Sequence, residues 1–462
     1  MMLKSMLARF AERSPVTVMA QVGLERALGA EWLDDLFDEF RERQYTRELL
    51  FSSTVELMSL VALGLQPSVH AAAQAKSNLC VSLAALYSKI NGIEPGLSRA
   101  LVACSSERLE PIAQEIRSKQ VSLVPGYQVR IVDGNHHPAS EKRLAALRGL
   151  RGAALPGHTL VVYDPDTRLV VDVVPCEDGH AQERTLVPAV IGTVNKGQLW
   201  IADRNFSTKA IMADIHRAGG AFLIREHRAS PNPTELGVAR RKGQTDSGEI
   251  YEQTVEIALE DGVHIALRRI EVRLATPTED GETVIRLLTN LPRKLAANVV
   301  ARAYRHRWKI ENMFQWLESV LHSEVRTLGY PRAALFAFSV AALAYNVLSI
   351  VQSTIEVAHD IQPDEPEQLS LYYVANEIKT TYEGMMIAVP DEAWEDCRSV
   401  PPKQAARFLL DVAAQVNLAK YRKHPRGPKK LVKKGYVAGH IARSHVATAR
   451  VLDSTKSPRK SP

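Results

Sequence analysis

Three acids stand out by position along this chain. Asp133 ends a short β-branched run, YQVRIVDG, and Asp203 ends a second, almost wholly apolar run, LWIAD. Glu311 lies much further on, in the long helical stretch RKLAANVVARAYRHRWKIENMFQWLESVL. If the two runs are neighbouring strands of one sheet, their ends can meet, with Glu311 delivered from a helix packed on that sheet. Three converging carboxylates repel one another and tend to bind protons. Hard divalent cations with oxygen ligands are the natural remedy. A pair of Mg²⁺ ions held this way can activate a water or a hydroxyl and stabilise the leaving oxygen of a phosphodiester.

Each acid also has a purely structural reading. An Asp before Gly134 suits a turn, Asp203 could cap the helix that follows, and Glu311 could pair with Arg307 across one helical turn. The surroundings of Glu311 bear on the choice. Tyr304, Arg307 and Glu311 fall at i, i+3 and i+7 on one helical face, with Arg305 and Lys309 nearby. A phenol, a guanidinium and a carboxylate on one stripe suit a phosphate held against a metal. A surface ion-pair stripe is the competing reading.

Other chemistry is poorly supported. His136-His137 beside Asp133 has no HExxH or paired-histidine helix behind it and reads as a loop. GTVNKG at 192–197 lacks the Gly-Lys-Ser/Thr end of a phosphate loop, and G-x-S-x-G is absent. Trp308, Phe314 and Trp316 read as core rather than as base-stacking platforms. The four cysteines (Cys80, Cys104, Cys176, Cys397) form no CxxC pair, which excludes a zinc ribbon and suggests a reducing compartment.

The elements that must position these acids follow from periodicity. Residues 15–120 carry apolar residues at helical spacing, broken by turns at 64–67 and 94–96. After Pro125-Gly126 comes the first strand, then HTLVVYDPDTRLVVDVVP, a hairpin around Asp-Pro-Asp. Residues 183–195 read as helical despite Pro188, and LWIAD as a strand buried on both faces. STKAIMADIHRAGG reads as a capped helix and AFLIREH as a fifth strand. Within 230–292, EQTVEIAL and VHIALRRIEVRL alternate apolar and polar residues, as half-exposed antiparallel strands do. The phase change at Arg268-Arg269 suggests a bulge. A helix from Arg293 to about Leu321 follows, then a break at 328–331.

The 462 residues, 45% hydrophobic and 24% charged, describe a multidomain globular protein. The net charge of +6 is unevenly spread. Residues 420–462 hold thirteen Lys and Arg against Asp453 alone, a formal +12, and leave the rest at −6. Residues 356–397 hold eleven acids and one base, Lys379. A neutralised body with a basic tail suits a polyanionic partner, or simply solubility. The N-terminus has no convincing signal peptide. Residues 333–355 carry no charge over 23 residues, enough to span a bilayer, but six dispersed polar residues and many alanines favour a buried helix.

Taken together, these residues resemble the bacterial DDE transposases of the insertion-sequence-four family, whose signature is Y-x-x-R-x-x-x-E followed seven residues later by Lys. Tyr304, Arg307 and Glu311 match it in YRHRWKIE; Asp133-Gly134 matches the family's first acid, and Asp203-Arg204-Asn205-Phe206 its second. The resemblance runs over most of the chain. It implies an α/β multidomain protein with a ribonuclease-H-like mixed-sheet catalytic core, interrupted by an antiparallel β insertion. A helical N-terminal domain and a helical, basic C-terminal region would flank that core. The expected divisions are a helical DNA-binding domain over 1–120, core over 121–229 and 293–355, insertion over 230–292, and C-terminal region over 356–462. It further implies Mg²⁺, with Mn²⁺ as substitute, at Asp133, Asp203 and Glu311. Terminal inverted repeats and target DNA would be the partners, with a homodimer on paired ends, no membrane and a cytoplasmic, nucleoid-associated location. Tyr304, Arg307, Lys420, Arg422, Lys423, Arg426, Lys429 and Lys430 are the expected DNA contacts. Two positions depart from the family. Its lysine is Glu318 here, with His322 and Arg326 as other bases nearby. Some relatives flip a base onto a Trp in the insertion, but residues 225–303 contain none, leaving Tyr251 as an aromatic that could stack. The alternatives are an inactive DNA-binding derivative and a nonspecific nuclease of the same fold.

Overall fold

The protein is described by a computed structural model over residues 5–45, 48–76, 79, 81–137, 144–150, 152–259, 262–278, 281–323, 325, 328–362, 369–423 and 445–456. Alternating and all-apolar runs become the strands β1 (Gln128–His136), β2 (Ala153–Leu155), β3 (His158–Asp164), β4 (Leu169–Cys176), β5 (Gln198–Ala202) and β6 (Ala221–Arg225). The insertion adds β7 (Thr234–Glu235), β8 (Arg240–Thr245), β9 (Gly248–Ala258), β10 (His264–Leu274) and β11 (Val284–Thr289). One sheet runs β4-β3-β1-β5-β6-β11-β10-β9-β7, with β8 also on β9. Its first five strands have the ribonuclease-H-like arrangement: β1, β3 and β4 antiparallel, β5 and β6 parallel to β1. The insertion continues that sheet through β11, which pairs antiparallel to β6.

Helices cover both faces. On one lie α1 (Ser5–Arg13), α2 (Pro15–Ala27), α3 (Ala30–Phe40), α4 (Phe51–Ala62), α5 (Val69–Ala75), α6 (Leu83–Gly92) and α7 (Pro95–Ile116), sharing one core with Val129, Ile131, Leu199 and Ile201. On the other lie α8 (Pro188–Ile191) and α9 (Lys209–Arg217), packed on Val132, Trp200, Ala202 and Phe222. The stretch expected as one helix over 183–195 is a 3-10 turn, Glu183–Leu186, followed by the single turn of α8. Pro188 stands at a helix start, where its missing N–H costs nothing.

The helix expected from Arg293 to Leu321 is two helices, α10 (Ala297–Arg305) and α11 (Trp308–Ser319), joined by a tight turn at His306-Arg307. Next comes α12 (Pro331–Ala358), the uncharged stretch. It is the one helix among the described residues long and apolar enough to cross a membrane, and 94% of its most apolar window is buried inside the protein. Its polar residues serve the core. Asn346 accepts from the Val170 N–H at 2.7 Å and donates to the Val170 carbonyl at 2.8 Å, pairing edge strand β4 beside a bulge. The chain closes with α13 (Leu371–Ala388), α14 (Glu395–Ser399), α15 (Pro402–Ala413), β12 (His445–Ala447) and α16 (Thr448–Lys456). Strand β12 pairs parallel with β2.

The expected bulge at Arg268-Arg269 does not form. The β9–β10 register runs unbroken through both residues. The alternation changes phase because both arginines are buried, one on each face, and matched by acids. Arg268 takes Glu252 in a two-pronged pair at 2.9 and 3.1 Å, while Arg269 reaches Glu226 at 2.8 Å and Glu235 at 2.7 Å.

Candidate active site

Side chains alternate along a strand, so parity decides the face. On β1, Val129 and Ile131 point to the long-helix face and Val132 to the other; on β5, Leu199 and Ile201 match Trp200 and Ala202 in the same way. The parallel register sets Ile131 against Ile201 and Val132 against Ala202. Asp133 and Asp203 are the next residues on the two chains, so they stand side by side on the long-helix face. Helix α11 packs on β1 from that face, anchored by Ile310, Met313 and Leu317. Glu311 comes with it.

Arg307 ties the pieces together. Its Nη1 donates to Asp133 Oδ2 at 2.9 Å and its Nη2 to Glu311 Oε1 at 2.6 Å. It also bonds the Tyr304 hydroxyl, whose burial pushes it up to about 12. Asp133 takes a further bond from the Gly134 N–H at 3.0 Å. Burial pushes its carboxyl up to about 7; Arg307 opposes this, while Asp203 and Glu183 add to it. Asp203 caps the turn 204–206, accepting from the Asn205 N–H at 2.7 Å. The structural readings of Asp203 as a cap and Glu311 as a partner of Arg307 are therefore both true, and neither keeps these acids apart from Asp133.

The tail residues divide. Lys420, Arg422 and Lys423 lie at the end of the helical layer, where Tyr421 bonds Glu377 of α13 and Arg422 bridges to Leu369. Arg426, Lys429 and Lys430 lie outside the described residues, as does Arg326. Glu318 is exposed on α11. His322 turns away from the acids and packs against Gly64, near Lys379. Tyr251 is covered by the Arg273 guanidinium, 3.7 Å from its ring centre. Trp308, expected in the core, is 57% exposed beside Arg307. His136 ends β1, and His137 is buried against Phe338 with a bond to Thr159.

Sequence reasoning missed Glu183. It approaches Gly134 from the opposite face and adds a fourth carboxylate to the group. Its one signal was an acid in the turn just before the LWIAD strand. As donors, these carboxylates suit a hard divalent cation in type and charge. Their spacing does not yet gather them: among the described residues no group of three His, Cys, Asp or Glu side chains is arranged to hold a metal ion. The guanidinium between Asp133 and Glu311 is the reason on the α11 side.

Residues 124–347 match the sequence profile of the family described as the transposase DDE domain. A Sinorhizobium fredii protein named "Putative transposase y4zB" is 30% identical over 204 residues. That stretch covers 41% of this chain and 52% of the relative, so the chain spans about half the length of the protein it matches. The matched interval contains Asp133, Asp203 and Glu311, the whole sheet apart from β12, and the insertion. A family of enzymes thus supports an enzymatic role for this sheet end. The chain carries a DDE-transposase family domain over residues 124–347, related at low identity to a bacterial protein of that name.

Proposed function

We propose that the protein is a DNA transposase. It would cut an insertion-sequence element at its terminal inverted repeats and join the exposed 3′ ends to target DNA. The observation that carries this reading is the meeting of Asp133 and Asp203 at adjacent strand ends, facing Glu311, within a DDE-family domain.

In this reading Asp133, Asp203 and Glu311 hold Mg²⁺, or Mn²⁺ in its place. The bound cations supply a more acidic water or hydroxyl and stabilise charge on the phosphodiester. The chain's own residues do the rest. Asp133 and Asp203, fixed by β-sheet register, set the direction from which the scissile phosphate is approached. Tyr304 and Arg307 offer a phenol and a guanidinium fork to phosphate oxygens. Arg307 can do so only by giving up a carboxylate, so it serves as internal counter-ion until DNA and cation arrive. The basic residues after 420 add phosphate contacts that carry no sequence information. Joining two ends implies two subunits on DNA.

A second reading, a DNA-binding derivative without catalysis, draws on the Arg307 bridge across the acids and on Glu318. The test uses labelled DNA copied from the ends flanking the gene, with Mg²⁺ or Mn²⁺, comparing the wild type with Asp203→Asn. Cutting at the repeat boundary by the wild type alone supports the transposase. A specific gel shift without cutting by either protein favours the binding derivative. Cutting without end preference or joining points to a nuclease.

A further inference from the structure

We propose that Glu183 is a fourth carboxylate of the cation site, delivered from the opposite face of the sheet through the gap at Gly134 and steered by Asn205. The inference rests on the cation reading of Asp133, Asp203 and Glu311 above.

Gly134 follows Asp133 on β1, so its missing side chain would point to the other face. A Cβ built there would lie 2.3 Å from Cδ and Oε1 of Glu183 and 2.6 Å from its Cγ. Real Cβ atoms do not come so close. The Glu183 carboxylate therefore fills the place where residue 134 would carry a side chain. This is why glycine stands beside the acid: not for an unusual backbone angle, but to let a carboxylate past the strand.

Asn205 ties the newcomer to the established pair. Its backbone N–H donates to Asp203 Oδ1 at 2.7 Å, while its side chain bonds Glu183. One residue thus holds two carboxylates that repel each other. Burial and the Asp203 charge both push the Glu183 carboxyl upward, and only Asn205 acts the other way.

Charge matching elsewhere sharpens the point. Other half-buried acids of this fold have a guanidinium each: Asp172 with Arg99 at 2.7 Å, Glu356 with Arg168 at 2.7 Å, Glu282 with Arg225. At the sheet end Arg307 serves Asp133 and Glu311. Asp203 and Glu183 have no ion-pair partner among the described residues. A glutamate placed only for packing would gain nothing from such a position. A pair of adjacent carboxylates lacking a cation of their own is what a divalent ion would neutralise.

The test measures Mn²⁺ binding by the full-length protein, from the electron paramagnetic resonance signal of free Mn²⁺. The shift in unfolding temperature between Mn²⁺ and EDTA is read in parallel. Asp203→Asn tests the parent reading, Glu183→Gln the inference, and Gly134→Ala expels the carboxylate without removing it. The expected result is Mn²⁺ binding by the wild type, weakened in both Glu183→Gln and Gly134→Ala by about 10–100-fold, the loss typical when a supporting group is removed from a metal site. Glu183→Gln should also lose its Mn²⁺-dependent temperature shift while keeping its unfolding temperature in EDTA. Wild-type binding by Glu183→Gln, with binding lost in Asp203→Asn, would overturn the inference and leave the parent reading intact. Equal Mn²⁺ binding by wild type and Asp203→Asn, or none by either, would overturn both.

Discussion

Two groups of buried charge sit in the same ten-stranded sheet, and they are built on opposite terms. In the insertion, Arg268 and Arg269 lie on either face of β10, and each guanidinium is met by carboxylates: Glu252 for one, Glu226 and Glu235 for the other. At the ends of β1 and β5, four carboxylates gather around one guanidinium, Arg307. Burying charge is tolerable when it is paired, and leaving it unpaired costs several kcal/mol. The matched group explains itself as architecture, extending the sheet beyond β6. The unmatched group does not: its excess of negative charge is a standing cost that a protein keeps where something positive arrives from outside.

The comparison can be broken most forcefully by neutralising one acid in the unmatched group. Asp203→Asn should reduce metal-dependent cutting of end DNA by about a thousandfold or more, the several kcal/mol of charge stabilisation a bound cation gives a phosphodiester. Gel-shift affinity for the same DNA should hold, and retained cutting would end the transposase reading.

The matched group should respond in stability instead. Arg268→Ala strands Glu252 and should cost about 3–5 kcal/mol, seen as a lower urea midpoint. Replacing both partners, Arg268→Met with Glu252→Leu, should recover most of that loss. A double variant as unstable as the single one would mean that the arginine acts by packing rather than by pairing.

A third test uses the histidines just past Asp133. Burial holds His137 down to about 3, so the native state leaves it neutral while the unfolded chain protonates it below about 6.5. Its folded value is depressed, so stability is complete above that range and is lost as the pH falls. From pH 6.5 to 5 the loss should be about 2 kcal/mol, with His136 and His158 shifted in the same direction. Urea midpoints at pH 7 and pH 5 check it, and His137→Gln should flatten the dependence.

The smallest effect is a difference in sign. In EDTA, Asp203→Asn should leave the protein as stable or raise stability by about 0.5 kcal/mol, because it relieves repulsion with Asp133 and Glu183. Glu252→Gln, the same kind of change in the matched group, should destabilise. Destabilisation by both would show that the acid cluster is balanced by a charge the comparison omits.

Much of this was legible in the residues. LWIAD reads as a strand buried on both faces because all of its neighbours are apolar, and residues 198–202 are buried throughout. The Asp-Pro-Asp hairpin forms as expected, with Asp164 accepting from the Asp166 and Thr167 N–H groups to close the turn. The Arg268-Arg269 phase change was visible but misread, since a buried arginine and a solvent-facing one look alike until the acids across the strand are known. The break between α10 and α11 was hidden because the apolar period continues through His306-Arg307. Trp308 was taken for core on residue type alone, although its place at the start of α11 leaves it in solvent.

By itself the sequence determined what is local: strand and helix periods, the acids at the strand ends, a glycine after the first of them, and a body and tail of opposite charge. These follow from side-chain alternation and composition, which each segment carries without its neighbours. Tertiary structure alone decided which strand ends meet, that Arg307 lies between Asp133 and Glu311, and that Glu183 reaches Gly134 from the far face. Those contacts join residues far apart in the chain, through strand order and layer packing. No local pattern encodes which neighbour a strand will take, or what will fill the space a glycine leaves open.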